Sequence, residues 1–359
     1  MKSLCFLNSN RVWGGGEKWH HDVVLRFKEA GYPVLAITNH NSDLLRRLSQ
    51  KELVLYHPRI STLSFLNPVK ILTIARLLRQ HRVQAIFLNS ASDLKLGGIA
   101  AKIAGVPQII YRRGIALPVK DRWLNRWLFQ RVLTRIITNS QETRRLLLEQ
   151  SSVPIPADKI RVIYNGIDLS AWDQQPFSPV YHKIPREVVL GAAGRLSAEK
   201  GHTAVLELTR ILKERGICCK TLIAGIGPLA EQLQQKVRNL GIEQEVVFLG
   251  FVNQIKNFME SIDIFVLPSL YEGAANVILE AMASRKPVAA FDVSSNPELI
   301  QHGQTGFLAQ SGNMQELAAH VNNLAQHPEL QIRFGQQARI RIEEYFTMER
   351  VISELAVLI

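Results

Sequence analysis

Asp263-Ile-Phe-Val-Leu-Pro268 runs directly into Ser269-Leu-Tyr-Glu-Gly-Ala-Ala-Asn-Val-Ile-Leu-Glu280, and the change of period between the two decides the fold. The first six residues are an apolar run of strand length closed by a proline, whereas over 274–285 apolar residues recur at helical spacing. A helix therefore begins at the carboxyl end of a buried strand. Its first amides lack internal partners and stand at the positive end of the peptide dipole, so Gly273, Ala274, Ala275 and Asn276 form a surface suited to an anion or a set of hydroxyls. Glu272 sits just before the helix and Glu280 about two turns into it. The two carboxylates need not touch and can address opposite ends of an elongated ligand, such as a sugar nucleotide. Glutamates also gather at helix starts simply because they complement the dipole. The stretch therefore takes its meaning from the rest of the chain.

Outward from it, strands are expected at 187–193, 220–224, 245–249, 262–267 and 287–290, separated by helical patterns. An earlier series reads 3–7, 33–38, 53–56, 84–88, 108–111 and 135–138, with helices at 18–30, 68–80 and 93–104. Strands alternating with helices imply parallel sheets covered on both faces. The fold class is α/β with two Rossmann-like domains, as 359 residues with 47% hydrophobic content also suggest. The expected division is 1–170, a linker at 171–186 marked by three prolines and no period, 187–335, and a helical segment at 336–359.

Charge is placed unevenly. Residues 1–180 carry 26 Lys and Arg against 12 Asp and Glu, while 181–359 carry 17 against 19. A basic first half suggests an acidic partner, an anionic membrane surface or a phosphorylated acceptor rather than nucleic acid. In 120–135, Trp123 and Trp127 interleave with Arg122, Arg126 and Arg131, as in a helix resting on lipid headgroups. Packing of Leu124, Leu128 and Val132 on a sheet accounts for much of the same pattern. No apolar run reaches 18 residues and no signal peptide is apparent, so a cytosolic location is expected. Cys5, Cys218 and Cys219 read as reduced packing residues.

Two further turns fall at expected strand ends. Gly14, Gly15 and Gly16, followed by Glu17, let backbone approach a phosphate or sugar, although the spacing is not that of a dinucleotide fingerprint. Gly194-Arg-Leu-Ser-Ala-Glu-Lys-Gly201 places Arg195 and Lys200 where open α/β sheets bind ligands, and two such cations can neutralise a diphosphate without metal. Gly225 and Gly227 form the next turn.

Taken in order, the N-terminal glycine loop, Gly-Arg-x4-Lys-Gly (194–201), Gly-x-Gly-Pro (225–228), Phe-Leu-Gly (248–250) and Glu-x7-Glu (272–280) resemble the family-4 retaining glycosyltransferases of the GT-B fold, of the lipopolysaccharide-core and cell-surface polysaccharide type. The resemblance covers nearly the whole chain. It implies two Rossmann-like domains facing across a cleft, an acceptor-binding first domain, a donor-binding second domain, and a last helix crossing back to the first. It implies that Arg195 and Lys200 hold the donor diphosphate, that Glu280 accepts ribose hydroxyls, and that Glu272 with the backbone of 273–276 holds the transferred sugar. Gly14 to Gly16, Gly194, Gly225, Gly227 and Phe251 would complete the donor site, with Glu272, Arg195 and Lys200 catalytic.

The implied activity is transfer of a hexose from a nucleotide sugar, a UDP-sugar foremost, to a lipid-linked or cell-surface glycan, with no metal and no other cofactor. Alternatives on the same fold are a sugar-nucleotide epimerase or a non-catalytic membrane- or glycan-binding subunit. One departure stands out. Where many members carry a histidine after the strand at 108–111, this chain reads Tyr111-Arg-Arg-Gly, so Arg112 or Arg113 is expected to meet a phosphate or carboxylate of donor or acceptor. His20, His21 and His202 are expected to be helix-surface or motif-neighbour residues.

Overall fold

Side-chain parity along the strands sets the layers. In β1 (Ser3–Asn8), Cys5 and Leu7 enter one core while Leu4 and Phe6 enter another, because successive residues of a strand point to opposite faces. A computed structural model describes residues 1–114, 117–273 and 275–359. The chain divides into two units: Met1–Asn165 with Met348–Ile359, and Gly166–Thr347.

The first unit holds, among the described residues, a seven-stranded parallel sheet. Its strands are β1, β2 (Val34–Thr38), β3 (Val54–Tyr56), β4 (Val83–Leu88), β5 (Gln108–Arg113), β6 (Arg135–Thr138) and β7 (Ile160–Val162), in the order β3-β2-β1-β4-β5-β6-β7. One face packs Cys5, Leu7, Ile86 and Leu88 against helices Pro68–Gln80 and Ala91–Ala104 and the turn at 128–132. The other packs Phe6, Phe27 and Phe87 with Met348, Val351 and Leu355. The final helix, Met348–Ala356, thus completes the core of the first unit. Arg26 reinforces it with an ion pair to Glu349 at 3.0 Å.

The second unit holds, among the described residues, a six-stranded parallel sheet: β8 (Val188–Ala193), β9 (Cys219–Ala224), β10 (Val246–Gly250), β11 (Ile264–Leu267), β12 (Val288–Phe291) and β13 (Gly306–Ala309), ordered β10-β9-β8-β11-β12-β13. The sequence reading missed β13, four residues behind a glycine turn and too short to show a period. In each sheet the strand order reverses once, between β1 and β4 and between β8 and β11. Loops leaving neighbouring strands there diverge to opposite faces and open a crevice at the carboxyl edge.

Several boundaries differ from expectation. The stretch 171–186 is not a free linker throughout. Helix Leu169–Gln174, capped by Asp168, buries Trp172, and the buried Lys256 ammonium donates to the carbonyls of Trp172 (2.6 Å), Asp173 (3.2 Å) and Gln175 (2.9 Å). Arg339 adds a bidentate contact to Asp173 at 2.8 and 2.6 Å. The C-terminal segment also divides: 336–345 finishes helix Pro328–Tyr345 of the second unit, and only 348–359 belongs to the first. Cys5 and Cys219 are buried as packing residues, but Cys218 is exposed.

Candidate active site

The loops leaving β8, β9 and β10 are laced by backbone. Gly194 N–H donates to Ala224 O (2.9 Å), Leu196 N–H to Ile226 O (3.0 Å) and Gly225 N–H to Gly250 O (2.7 Å). Gly225 is required by this closeness, since a Cβ there would overlap the Gly194 carbonyl oxygen. Gly201, at φ +68°, is held against β11 in the same way, with its missing Cβ directed at the Pro268 carbonyl oxygen. The start of helix His202–Glu214 is thereby pressed onto the end of β11, at the reversal of strand order.

That contact brings the Arg-x4-Lys turn to the Glu-x7-Glu stretch. Lys200 Nζ donates to both oxygens of Glu272, at 2.7 and 2.8 Å, and Ser269 Oγ donates to Glu272 Oε1 at 2.8 Å. Glu272 is only 5% exposed. Its amide donates to Ser294 Oγ at 3.2 Å, and Ser294 adopts φ +51°, a left-handed conformation unusual for serine. Arg195 is exposed, and among the described residues its guanidinium forms no hydrogen bond or ion pair. One cation is therefore stored against a carboxylate and the other faces solvent.

Helix Asn276–Ala283 starts two residues later than the sequence suggested, because Ala275 is still extended (φ −79°, ψ 94°). Ala274 lies outside the described residues. Gly273 lies ahead of the N-cap Ala275, and Glu280 is buried in the second turn of the helix. Gly227 packs on the backbone of Leu196. Phe251 and Ile226 stand exposed on the two loops joined through Gly225 and Gly250, an apolar element beside the polar turn. Ile226, Ser269 and Ser294 escaped the sequence reading. Serine is common in loops, and nothing local marks a left-handed one as a support for an amide 22 residues away.

The first unit has its own polar edge where β1 and β4 part. Gly15 and Gly16 already lie in helix Gly15–Glu29, with Gly14 as its N-cap, rather than in a loop ahead of a helix at Lys18. Glu17 is buried, and its Oε1 accepts from the amides of Asn8 (3.2 Å), Asn10 (2.7 Å) and Asn89 (3.4 Å). Gly16 lies against Asn89, with no room for a side chain without displacing it.

Arg112 is buried rather than presented to solvent. It donates to Asn165 Oδ1 (3.0 Å) and Asn89 Oδ1 (3.5 Å) and lies over the Trp19 ring at 4.6 Å. Burial draws its pKa down to about 10, opposed by the charge of Glu17. Arg113 donates to the Leu117 carbonyl.

Of the three histidines, His20 departs from expectation. His20 is buried beside Gly16, whose carbonyl lies 3.2 Å from Nδ1, and burial together with Arg112 pushes it down to about 3. His202 is buried, its pKa lowered by burial and by Lys200 against the opposing pull of the Arg195 and Gly194 backbone. Both are neutral interior groups, while His21 pairs with Asp22 at 2.8 Å. In 120–135 a short helix, Trp123–Trp127, passes into a wider turn. It buries Leu128, Phe129 and Val132, leaves Trp123 exposed, and pairs Arg126 with Asp121.

Residues 13–171 match the model of Glycosyltransferase Family 4, and residues 173–341 match that of Glycosyl transferases group 1. The amylovoran biosynthesis glycosyltransferase AmsK of Erwinia amylovora is 34% identical over 209 residues, 56% of this chain and 50% of that protein. The UDP-Gal:alpha-D-GlcNAc-diphosphoundecaprenol alpha-1,3-galactosyltransferase of Escherichia coli is 26% identical over 275 residues, 71% of this chain and 68% of that protein. The chain spans about half the length of several curated relatives it matches. Among solved structures, Anabaena Alr3699/HepE in complex with UDP superposes with a TM-score of 0.83 at 23% identity, covering 99% of this chain and 98% of that one. The two parallel-sheet α/β units are those of the GT-B fold.

Proposed function

We propose, from the premise that this chain belongs to the glycosyltransferases whose halves are a family 4 domain and a group 1 domain, that it moves a hexose from a UDP-sugar to a lipid-linked or cell-surface glycan with retention of anomeric configuration. The observation that carries this is the assembly of Lys200, Glu272 and Ser269 at the strand-order reversal of the second unit, with the exposed Arg195 on the same turn as Lys200. As the bond between the anomeric carbon and the diphosphate oxygen breaks, negative charge grows on the leaving group. Arg195, Lys200 and the amides at the start of helix Asn276–Ala283 stabilise that charge without metal. The acceptor hydroxyl oxygen bonds to the anomeric carbon on the face the diphosphate leaves, and its proton passes to the departing phosphate oxygen. Glu272 and the 273–276 backbone hold the sugar, and Glu280 the ribose.

In this reading residues 187–335 bind the donor and residues 1–170 the acceptor. The UDP bound by the Anabaena protein and the UDP-Gal in the name of the Escherichia coli relative favour a uridine donor. Relatives named for polysaccharide synthesis favour a glycan acceptor. No described helix is long and apolar enough to cross a membrane. We place the protein peripherally at the inner face of the cytoplasmic membrane, on the basic charge of its first half and the exposed Trp123.

A thermal-shift comparison of UDP-, GDP- and ADP-sugars tests the donor. A true donor at 100 times its dissociation constant adds about 2.7 kcal/mol of stability. Stabilisation by none of them, or equal stabilisation of Arg195→Ala, would overturn the reading.

A further inference from the structure

Residues 53–141 hold fourteen Lys and Arg but two acids, Asp93 and Asp121, a surplus equal to the net charge of +12 carried by the whole chain. Neither acid offsets it outwardly. Asp93 is buried in the capping box of helix Ala91–Ala104, and Asp121 is engaged by Arg126.

Within this basic stretch, residues 63–72 expose four large aliphatic side chains: Leu63 (65% exposed), Leu66 (66%), Val69 (70%) and Leu72 (58%). They are rigidly presented. The turn Ser64–Leu66 buries Ser64, Asn67 caps the following helix by accepting from Lys70 N–H (3.1 Å), and Lys70 Nζ reaches back to Arg59 O (2.6 Å) and Ser64 Oγ (3.3 Å). Helix Pro68–Gln80 turns Ile74, Ala75 and Leu78 inward and carries Val69, Leu72, Arg76 and Arg79 along its outer face. Its outer stripe therefore presents Val69 and Leu72 over the first two turns and the cations Arg76 and Arg79 beyond them.

We infer that the tip formed by Leu63, Leu66, Val69 and Leu72 inserts into an anionic lipid bilayer, with Arg76 and Arg79 at the level of the phosphates. The dimensions agree. Four helical residues rise about 6 Å, and interfacial segments sink about 5–10 Å below the headgroups. Aliphatic tips below and guanidinium groups above match the order of acyl chain and phosphate along the bilayer normal. The absence of exposed acids over 53–92 removes what an anionic surface would repel. This rests on the membrane placement above and names the element that makes it, one separate from Trp123.

The test is co-sedimentation of the full chain with vesicles of phosphatidylglycerol and phosphatidylethanolamine, against vesicles of phosphatidylcholine alone. The wild-type protein is expected to sediment with the anionic vesicles and to be released by high salt. The quadruple variant Leu63→Ser, Leu66→Ser, Val69→Ser, Leu72→Ser is expected to bind about tenfold more weakly or worse. Arg76→Glu alone should weaken binding and flatten its salt dependence. All four apolar positions are exposed, so the melting temperature and the nucleotide-sugar thermal shift should be retained and exclude misfolding. Wild-type protein that ignores anionic vesicles would overturn the membrane placement itself. Vesicle binding unchanged in the quadruple variant would overturn only this surface. A dimer in sedimentation velocity that the variant dissolves would also overturn it, by assigning the patch to a second copy of the chain.

Discussion

Lys200 and Glu272 are 72 positions apart in sequence, yet the ammonium donates to both carboxylate oxygens at 2.7 and 2.8 Å. The groups assigned to the donor's diphosphate and to its sugar neutralise each other before it arrives. A diphosphate must therefore compete with Glu272 for Lys200, whereas a whole nucleotide sugar supplies a partner to each. Glu272→Gln removes the competitor. UDP alone should bind this variant at least as tightly as it binds wild type, while turnover falls by about a hundredfold or more. Calorimetry with UDP and a nucleotide-release assay separate the two effects. Weaker UDP binding in the variant would contradict the competition.

Lys200→Met leaves the buried Glu272 with Ser269 as its remaining side-chain partner. A loss of about 2 kcal/mol is expected, below that of a fully buried pair because Lys200 is partly exposed. Urea unfolding measures it, and adding Glu272→Gln should recover part of the loss.

Gly201 and Gly216 share the left-handed region, at φ +68° and +75°, but differ in surroundings. A methyl at 216 meets open space, whereas at 201 it strikes the Pro268 carbonyl. Gly216→Ala should cost about 1 kcal/mol of backbone strain. Gly201→Ala should cost several times that and abolish donor-induced stabilisation, because it pries the Lys200 turn from Ser269 and Glu272. Equal melting temperatures for the two variants would show that the close approach is dispensable.

Burial lowers His20 to about 3, so folding keeps it neutral while the unfolded chain protonates it near 6.5. Its contribution is therefore present above pH 6.5 and is lost as pH falls toward the folded value. Asp93 has the opposite sign. Burial raises it to about 6, so its titration favours the folded state as pH falls through 6 toward 3.8. Comparing wild type with His20→Leu cancels Asp93. The stability difference should shift by about 1.5 kcal/mol against wild type between pH 6.5 and 5. A difference independent of pH would place the ring in contact with water.

Arg339 grips Asp173 with two hydrogen bonds and also donates to Ala283 O (3.0 Å), the last residue of the helix bearing Glu280. Arg339→Gln should destabilise the second unit by about 2–3 kcal/mol and weaken donor binding through that helix. Asp173→Asn, which keeps the Ala283 contact, should affect binding far less. Equal binding losses in the two would refute the route through the helix.

The sheets were legible because their strands are buried on both faces and alternate with helices of clear period, as at 108–111 and 68–80. The glycine turns were legible because φ and close approach leave little choice of residue. What stayed hidden depends on distant partners. Lys200 could be read as a cation but not as one held by Glu272, and Arg112 looked available until Trp19, Asn89 and Asn165 surrounded it. The stretch 171–186 looked like a free linker because its composition lacks period, and the groups that fasten it, Lys256 and Arg339, lie more than 80 residues on.

Because the first unit is made of Met1–Asn165 and Met348–Ile359, the second is an uninterrupted insertion within it. On a ribosome the insertion can mature while its host is still missing a wall. Leu4, Phe6 and Phe27 await Met348, Val351 and Leu355, which follow the whole insertion in the order of synthesis, so a chain cut off before residue 348 would keep its inserted half whole and leave the host half open to chaperones and proteases.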